Sequence, residues 1–242
     1  MLLIACSKVR EMIDWQTIDL EVVRQHVTAT HRKAHGSRPD VLQIRIDKNQ
    51  AVLKDYSHSD TWFRRLLAPL LVMREVRSLK QLDGVIGVPH LYHVYNRYAF
   101  LVESVNGVAA SQIQKNTLDN DFFERMKKVL DDIHEKGVTH CDLRSAGNTL
   151  VTPDQQPWLV DFVASIHQSR RWNIIGRWIF DQFVDADYGA VLKLKKRLAP
   201  ELLTSDELDK IEHPHSVVER VGRKMGRSVR FITRNLFPSK IK

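Results

Sequence analysis

The sequence contains only two cysteines, Cys6 and Cys141, among its 242 residues. Two cysteines build no disulfide framework and match no spacing of metal ligands, which favours a reducing compartment over secretion. Apolar stretches stay well below the roughly 20 residues that span a bilayer, so no transmembrane helix is expected. The first residues, MLLIACSK, lack the basic start and the apolar length of an export signal. We therefore expect a cytoplasmic protein.

Acidic residues are outnumbered, because 37 Lys and Arg face 29 Asp and Glu and leave a net charge of +8. A positive excess favours an anionic partner. In residues 217–242 basic residues accompany apolar ones at helical spacing, and no acidic residue follows Arg220. Such a segment can pack on its own protein, which we expect first, or attach peripherally to an anionic inner-membrane surface. Nucleic-acid binding ranks low, because no reader motif or interleaved aromatics are present.

The first half of the chain reads as strands around one helical region. VLQIRID and AVLKDY are separated by a polar turn and predict a hairpin. SDTWFRRLLAPLLVMREVRSLKQL has helical periodicity, and Pro69 suits a first helical turn, so a break and a fresh helix to about Leu82 are expected there. VIGVPHLYHVYNRYAFLVESVNG predicts two further short strands around an Asn-Arg turn.

The second half is mostly helical by pattern. Residues 121–136 place apolar side chains on one face, and Gly137 ends that helix. PWLVDFV predicts a short strand with one embedded acid, and helices are expected from Ser165 onward. The order predicts an α+β fold with two lobes, a small sheet-rich lobe over residues 1–104 and a larger helical lobe over 105–242.

Five separated polar residues have the chemistry of a phosphate-handling site. Lys54 ends the strand AVLK, and Glu75 follows on the next helix. A lysine that contacts phosphates needs an acid to hold its flexible stem. Asn148 and Asp161 supply the hard oxygen ligands that magnesium prefers. Asp142 could orient an acceptor hydroxyl and take its proton.

These residues carry a resemblance to the protein-kinase-like superfamily. AVLK is similar to the phosphate-lysine strand Val-Ala-Ile-Lys, and HCDLRSAGN is similar to the catalytic loop His-Arg-Asp-Leu with its downstream asparagine. LVDFV resembles the metal-binding Asp-Phe-Gly segment, and LVESVNG resembles the hinge that meets adenine. The resemblance spans about residues 40–165.

The resemblance implies ATP and Mg2+ as cofactors and assigns roles to particular residues. Lys54 would contact the α- and β-phosphates and pair with Glu75, and backbone groups of Glu103 and Val105 would reach adenine. Asp142 would orient or deprotonate the acceptor hydroxyl.

Asn148 and Asp161 would hold magnesium. Arg144, two residues after Asp142, could neutralise the transferring phosphoryl group. An ordinary surface salt bridge is the equally weighted alternative for this arginine.

Several departures from the kinase pattern select a branch of the superfamily. No Gly-x-Gly-x-x-Gly precedes the first strand, where only Gly36 and Ser37 offer a phosphate-facing turn. Asn148 lies six positions after Asp142 where five is usual, DFV replaces Asp-Phe-Gly, and no Ala-Pro-Glu segment follows. These features resemble the compact bacterial atypical kinases, which include RIO-like proteins and lipopolysaccharide-core sugar kinases.

The expected function is therefore phosphoryl transfer from ATP to a hydroxyl. The acceptor stays open between a sugar of an envelope glycolipid and a protein serine or threonine. The alternative is a pseudokinase or ATP-binding scaffold at the membrane surface. The missing glycine-rich loop and the longer catalytic loop favour that alternative, while retention of all five polar residues argues against it.

Overall fold

The computed structural model describes residues 13–170 and 172–213. The chain divides into two units, and helix α3, whose range is given below, runs from one into the other. Unit 1 contains the described residues up to Met73 together with His90–Ser104, and unit 2 contains Arg74–Pro89 together with the described residues from Val105 onward. The lobe boundary between residues 104 and 105 stays a prediction, and each unit is described by itself.

Unit 1 is built on a five-stranded antiparallel sheet with strand order β1-β2-β3-β5-β4. A short helix precedes the sheet. The elements are α1 (Leu20–Gln25), β1 (Val27–Arg32), β2 (Asp40–Ile46), β3 (Asn49–Asp55), α2 (Thr61–Leu66), α3 (Ala68–Gln81), β4 (Leu91–Val94) and β5 (Ala99–Glu103).

The predicted hairpin is confirmed as β2 and β3, which pair in continuous register from Asp40 with Asp55 to Ile46 with Asn49. Its tight turn places Asp47 at a φ of 52°, a left-handed conformation that aspartate tolerates better than most residues. Inward side chains of the sheet form one buried cluster with residues that precede it. Its buried members are Trp15, Val23, Ile44, Ala51, Leu53, Ala99 and Leu101.

The predicted helix break is also confirmed. Helix α2 ends at Leu66 and α3 begins at Ala68, so Pro69 lies in the first turn of α3. Proline fits this position because the first backbone N–H groups of a helix have no intrahelical acceptor.

Unit 2 is mainly helical and carries two small antiparallel sheets. Its elements are β6 (Val108–Ala109), α4 (Asn120–Glu135), β7 (Val138–Thr139), β8 (Thr149–Val151), β9 (Pro157–Leu159), β10 (Ile166–His167), α5 (Ile174–Leu198) and α6 (Ser205–Glu212). One sheet has the order β6-β8-β9, and β10 pairs with β7 in the other. The expectation of a helical end is confirmed for the described part.

Helix α4 matches its predicted range closely. The Asp119 side chain accepts a hydrogen bond from the Phe122 N–H at 2.7 Å and thereby caps the start of the helix. The helix ends before Gly137, whose φ of 74° suits glycine. The predicted apolar face is buried and consists of Phe122, Met126, Val129, Leu130 and Ile133.

The basic segment 217–242 lies outside the described residues, so its helical packing and its membrane attachment stay predictions. Within the described part of the chain, no helix combines the length and the apolar content that a membrane crossing requires. Together with the two units, these elements confirm the predicted α+β kinase-like fold, in which an antiparallel sheet is followed by a helical region.

Candidate active site

Two strand pairings bring two loops of unit 2 together. Strand β7 pairs with β10, and β8 pairs with β9. The segment 140–148, which we call the catalytic loop, therefore starts and ends beside the segment 160–165, which we call the Asp161 loop. The sequence motifs HCDLRSAGN and DFV occupy these two loops.

A single buried carboxylate holds the start of the catalytic loop. Asp187 of α5 accepts hydrogen bonds from the backbone N–H groups of His140 at 2.7 Å and Cys141 at 2.8 Å. Cys141 has a φ of 67°, a conformation that is unfavourable for a residue with a side chain. The two bonds to one rigid helix explain how the loop keeps this conformation.

The Asp187 carboxylate has a third partner in His134, whose Nε2 lies 3.1 Å from Oδ2. Asp187 is only 1% exposed, and three donors compensate the loss of its hydration. Sequence reasoning missed this residue. A signal was present, since Asp187 falls at helical spacing with the buried residues Ala190, Val191 and Leu194.

His140 braces the loop from the other side. Its ring is fully buried, stacks at a tilt against Phe162 with 4.6 Å between ring centroids, and has Nε2 3.0 Å from the Val160 carbonyl oxygen. A carbonyl only accepts, so the proton is assigned to Nε2. Burial lowers the pKa of His140, although the nearby carboxylates of Asp187 and Asp161 oppose that shift. The neutral ring is therefore a structural support.

Asn148 connects directly to Asp142 despite the inserted residue. The Asn148 Nδ2 donates to the main-chain oxygen and to the Oδ2 of Asp142, at 3.0 Å each. A 3-10 turn over Ala146–Asn148, in which the Asn148 N–H donates to Ser145, takes up the extra residue. The insertion therefore leaves the asparagine facing the aspartate.

Asp161 approaches the same point from the neighbouring loop. The N–H of Val160 donates to the Asn148 carbonyl oxygen at 2.9 Å, which joins the two loops one residue before Asp161. The expectation that Asp161 is embedded in a strand is wrong. Strand β9 ends at Leu159, and Asp161 has a left-handed backbone with φ 72° and ψ 67°. The pairing of β9 with β8 therefore ends two residues before Asp161.

The electrostatic environment of Asp142 reflects these neighbours. Partial desolvation raises the pKa of Asp142, and the negative charge of Asp161 acts in the same direction. The hydrogen bond from Asn148 and the charge of the exposed Arg144 oppose the rise. The structure thus brings Asp142, Asn148 and Asp161 together with Arg144 nearby, while the assigned roles of these residues stay predictions.

The arrangement fits a magnesium ion. The amide nitrogen of Asn148 is used by Asp142, which leaves the amide oxygen available as a ligand. Asp161, whose charge acts on Asp142, would supply a second oxygen ligand. The described residues contain no group of three or more His, Cys, Asp or Glu side chains that would hold a metal by themselves. Two protein oxygens suit Mg2+, which keeps waters and takes substrate phosphates as its other ligands.

The predicted phosphate lysine is in unit 1. Lys54 lies on β3, is 8% exposed, and has its Nζ 6.0 Å from the centroid of the Phe100 ring. Glu75 lies on the part of α3 that belongs to unit 2 and is 2% exposed, which is not the surface position that a charged helix suggests by default. The pairing of these two residues would join the units and stays a prediction.

The predicted adenine-binding segment follows β5. The Glu103 N–H donates to the His90 carbonyl oxygen at 2.8 Å, and its Oε2 accepts from the His90 N–H at 3.1 Å. The Val105 carbonyl oxygen accepts from Gly107 at 2.9 Å. Adenine contacts by Glu103 and Val105 stay predictions, and the Val105 carbonyl already has an internal donor.

Comparison with protein families identifies the class. Residues 45–174 match the family model of the RIO domain, which is just over half of the chain. The chain belongs to the RIO domain family. Of the two kinase branches inferred from the sequence, the RIO-like branch is confirmed, and the chain is a phosphotransferase of the protein-kinase-like superfamily.

Solved structures support the same fold. A Rio2 kinase-ADP/Mg2+-phosphoaspartate complex from Chaetomium thermophilum superposes with a TM-score of 0.55 at 15% identity, over 90% of this chain and 74% of that chain. Another Rio2 kinase structure from the same organism has a TM-score of 0.56, 15% identity and coverages of 90% and 75%. This identity level shows the fold alone. A search of curated proteins finds no match.

The RIO domain match contains every predicted site residue from Lys54 to Asp161 and ends where α5 begins. Asp187, which anchors the catalytic loop, lies beyond the matched segment. The catalytic loop lies within the matched segment, but the helix residue that anchors it lies outside that segment.

Proposed function

We propose that this chain is an ATP- and magnesium-dependent kinase that phosphorylates a serine or threonine hydroxyl of a protein. Its RIO domain supports this proposal, because RIO kinases use ATP and magnesium and act on serine or threonine. The observation that carries the proposal is the link from Asn148 to both the backbone and the carboxylate of Asp142, beside Asp161. An oriented carboxylate next to a pair of metal ligands is the arrangement that hydroxyl phosphorylation requires.

In the proposed reaction the acceptor oxygen attacks the γ-phosphorus of ATP. A new O–P bond forms, the bond from the γ-phosphorus to the bridging oxygen breaks, and ADP leaves with that oxygen. The Asp142 carboxylate takes the proton of the acceptor hydroxyl, and the Asn148 amide holds that carboxylate in place. Magnesium, when bound by Asn148 and Asp161, supplies neutralisation of the phosphate charge.

Other residues of the chain have supporting roles in this proposal. Lys54 contacts the α- and β-phosphates and Glu75 orients Lys54. The backbone around Glu103 and Val105 receives adenine. Arg144, which is exposed and electrostatically coupled to Asp142, stabilises the transferring phosphoryl group.

The role of Asp142 is tested by Asp142→Ala with labelled ATP and with a thermal-shift measurement in Mg-ATP. Transfer should fall by about 10²–10⁴-fold, because a positioned general base contributes that much. Stabilisation by Mg-ATP should persist, since the variant keeps Lys54, Asn148 and Asp161. Asp154→Ala, which changes an exposed aspartate of unit 2, is the matched control.

Two results would contradict this assignment. Wild-type turnover in Asp142→Ala would remove its catalytic role. Absence of any Mg-ATP stabilisation in the wild type would argue against nucleotide binding altogether, because a ligand that binds only the folded state raises its stability. Mg-ATP stabilisation without transfer to any acceptor would favour the ATP-binding scaffold.

The acceptor class is tested by three incubations with labelled ATP: the protein alone, the protein with a mixed protein substrate, and the protein with lipopolysaccharide core. Label on serine or threonine supports the proposal. Label that enters only the glycolipid would replace the protein acceptor with a sugar hydroxyl.

A second route passes through a carboxylate of the enzyme. It is favoured by the proximity of Asp142 and Asp161 and by the phosphoaspartate of the Rio2 complex. The γ-phosphoryl group would bond to a carboxylate oxygen with release of ADP, and the acceptor hydroxyl would then displace the carboxylate. An acyl phosphate is cleaved by hydroxylamine, whereas phosphoserine is not. Hydroxylamine-labile label on the wild-type protein would support this route, and its absence would count against it.

A further inference from the structure

The start of α5 exposes a contiguous set of large apolar side chains in unit 2. We call this set the α5 patch, and its members are between 38% and 78% exposed. They are Trp172, Ile174, Ile175, Trp178 and Ile179. A single exposed apolar residue is ordinary, but a contiguous group of this size marks an interaction surface.

Helical geometry explains why the patch is continuous. Ile174 and Trp178 are four residues apart, as are Ile175 and Ile179, so these pairs lie on one side of the helix. The first buried residue of α5 is Phe180. The opening turn of α5 therefore presents its apolar side chains outward before the helix enters the core.

The backbone beneath the patch is held in place. The Asn173 side chain accepts a hydrogen bond from the Gly176 N–H at 2.8 Å and caps the helix. A Cβ at Gly176 would lie 2.2 Å from the Ser169 Oγ, so the helix start packs closely on the preceding segment. The patch is thus presented on a fixed helix start, which reduces the entropic cost of binding.

Charge around the patch is mainly positive, although the exposed Asp181 lies three residues beyond Trp178 on the same helix. Residues 165–180 contain three arginines, Arg170, Arg171 and Arg177, and no acidic residue. A second copy of the chain would bring like charges together at this surface. The chain's own segment 217–242 is also basic, with no acid after Arg220, so charge disfavours it as the occupant.

We propose that the α5 patch inserts into the interface of an anionic lipid membrane. Tryptophan favours the boundary between acyl chains and headgroups, isoleucine favours the acyl side, and arginine interacts with anionic headgroups. A nucleic-acid partner would match the arginines but offers no apolar phase for the five side chains, and an acidic protein partner is one of the outcomes that the test below distinguishes. The proposal is independent of the phosphoryl acceptor.

The proposal has a consequence for the catalytic unit. Asp187, which anchors the catalytic loop, is nine residues beyond Trp178 on the same helix, a rise of about 14 Å. A membrane-bound α5 patch would therefore hold the catalytic loop close to the lipid surface.

The test uses the full chain and sedimentation with vesicles of phosphatidylglycerol and phosphatidylcholine, compared with phosphatidylcholine alone. The wild type should bind the anionic vesicles. The double variant Ile175→Asp with Trp178→Asp should bind at least about tenfold more weakly, because it places two charges in the apolar interface. Ile86→Asp is the matched control, since Ile86 is 81% exposed in the same unit but lies outside the patch, and its binding should stay within about twofold of the wild type.

A second readout reports insertion directly. Brominated lipids should quench the wild-type tryptophan fluorescence, and most of that quenching should disappear in the conservative double variant Trp172→Phe with Trp178→Phe, which still binds. Circular dichroism confirms that each variant is folded. This conservative pair keeps the test valid if the aspartate pair unfolds.

Three outcomes would overturn the proposal. Unchanged vesicle binding in the aspartate variant would assign binding to another surface, such as the basic segment 217–242 or the exposed Trp62 and Leu66 of unit 1. Unchanged quenching in the phenylalanine variant would show that the patch does not enter the lipid. A wild type that ignores anionic vesicles but binds RNA or an acidic polypeptide would replace the membrane with that partner.

Discussion

The two halves of α5 distribute polar and apolar side chains in opposite ways. The first half begins with residues 174–179, which expose isoleucine and tryptophan, while the second half buries Asp187 and Lys195. From hydrophobicity alone, the isoleucines and tryptophan would be expected in the core and the charged residues at the surface. One helix therefore departs twice from the ordinary division between core and surface.

The two departures differ in how they are compensated. Asp187 accepts bonds from His140, Cys141 and His134. Lys195 donates to both carboxylate oxygens of Glu207, at 2.9 and 3.0 Å, and to Asn120. Buried charge is stable only with such partners, whereas the exposed apolar side chains of the first half have no comparable cover within the described residues. The buried charged residues of α5 hold neighbouring segments in place. The exposed apolar residues at its start leave a surface to which a partner can bind.

The largest expected effect is on the buried half. Asp187→Ala should destabilise the fold by about 3–5 kcal/mol, because it leaves two buried N–H groups and His134 without their acceptor. Urea unfolding measures this loss. Asp181→Ala, an exposed aspartate near the start of the same helix, should change stability little. Equal effects at the two positions would contradict the comparison between the halves.

A smaller loss is expected at the second buried charge. Lys195→Met should cost about 1–2 kcal/mol, because Glu207 loses a charged donor but remains partly hydrated. Its neighbour Lys196 is exposed, so Lys196→Met is the matched control. The same urea titration applies. A neutral or stabilising Lys195→Met would show that good packing by methionine outweighs the ion pair.

Acid should lower the free energy of unfolding through His140, which lies in the catalytic loop that α5 anchors. The pKa of His140 is lowered by burial, so the unfolded chain takes up its proton at higher pH than the folded chain. The resulting stability is present above about pH 6.5 and is lost as pH falls toward the folded pKa, with a limiting slope of about 1.4 kcal/mol per pH unit.

Unfolding free energies measured between about pH 7 and about pH 5 check this expectation. His140→Gln keeps a side-chain N–H for the Val160 carbonyl but does not titrate, so its profile should be flatter than that of the wild type. Parallel profiles would assign the acid sensitivity to other groups.

The smallest effect is expected on the exposed half. Ile175→Ser should change the stability of the isolated protein by less than about 0.5 kcal/mol, since this side chain is mostly exposed and does not pack in the core. Val191→Ser, at a buried position of the same helix, is the contrasting variant and should be clearly destabilising. Thermal and urea unfolding measure both. A large loss at Ile175 would mean that the first half is packed after all.

Much of the local structure could be predicted from the sequence. The β2–β3 hairpin, the break before Pro69 and the ends of α4 depend on turn chemistry, capping and apolar spacing over a few residues. The catalytic loop could be recognised because the short segment HCDLRSAGN resembles the catalytic-loop motif of kinases.

Other features depend on contacts that local patterns do not contain. Asp187 bonds to residues 46 and 47 positions earlier, and this pairing follows from how α5 packs. The placement of Asp161 after β9 depends on a left-handed turn that an apolar strand pattern does not reveal. Strand β1 cannot be recognised from the first forty residues alone, because it is stabilised by its pairing with β2.

By itself the sequence determined the class of fold, the order of its main elements and the polar residues of the catalytic loop, because short-range propensities and a compact motif specify them. The tertiary structure decided that Asn148 still meets Asp142 across an inserted residue, that Asp187 supports the loop, and that the start of α5 is exposed. These outcomes depend on long-range packing, which sets the burial and the partners of each side chain.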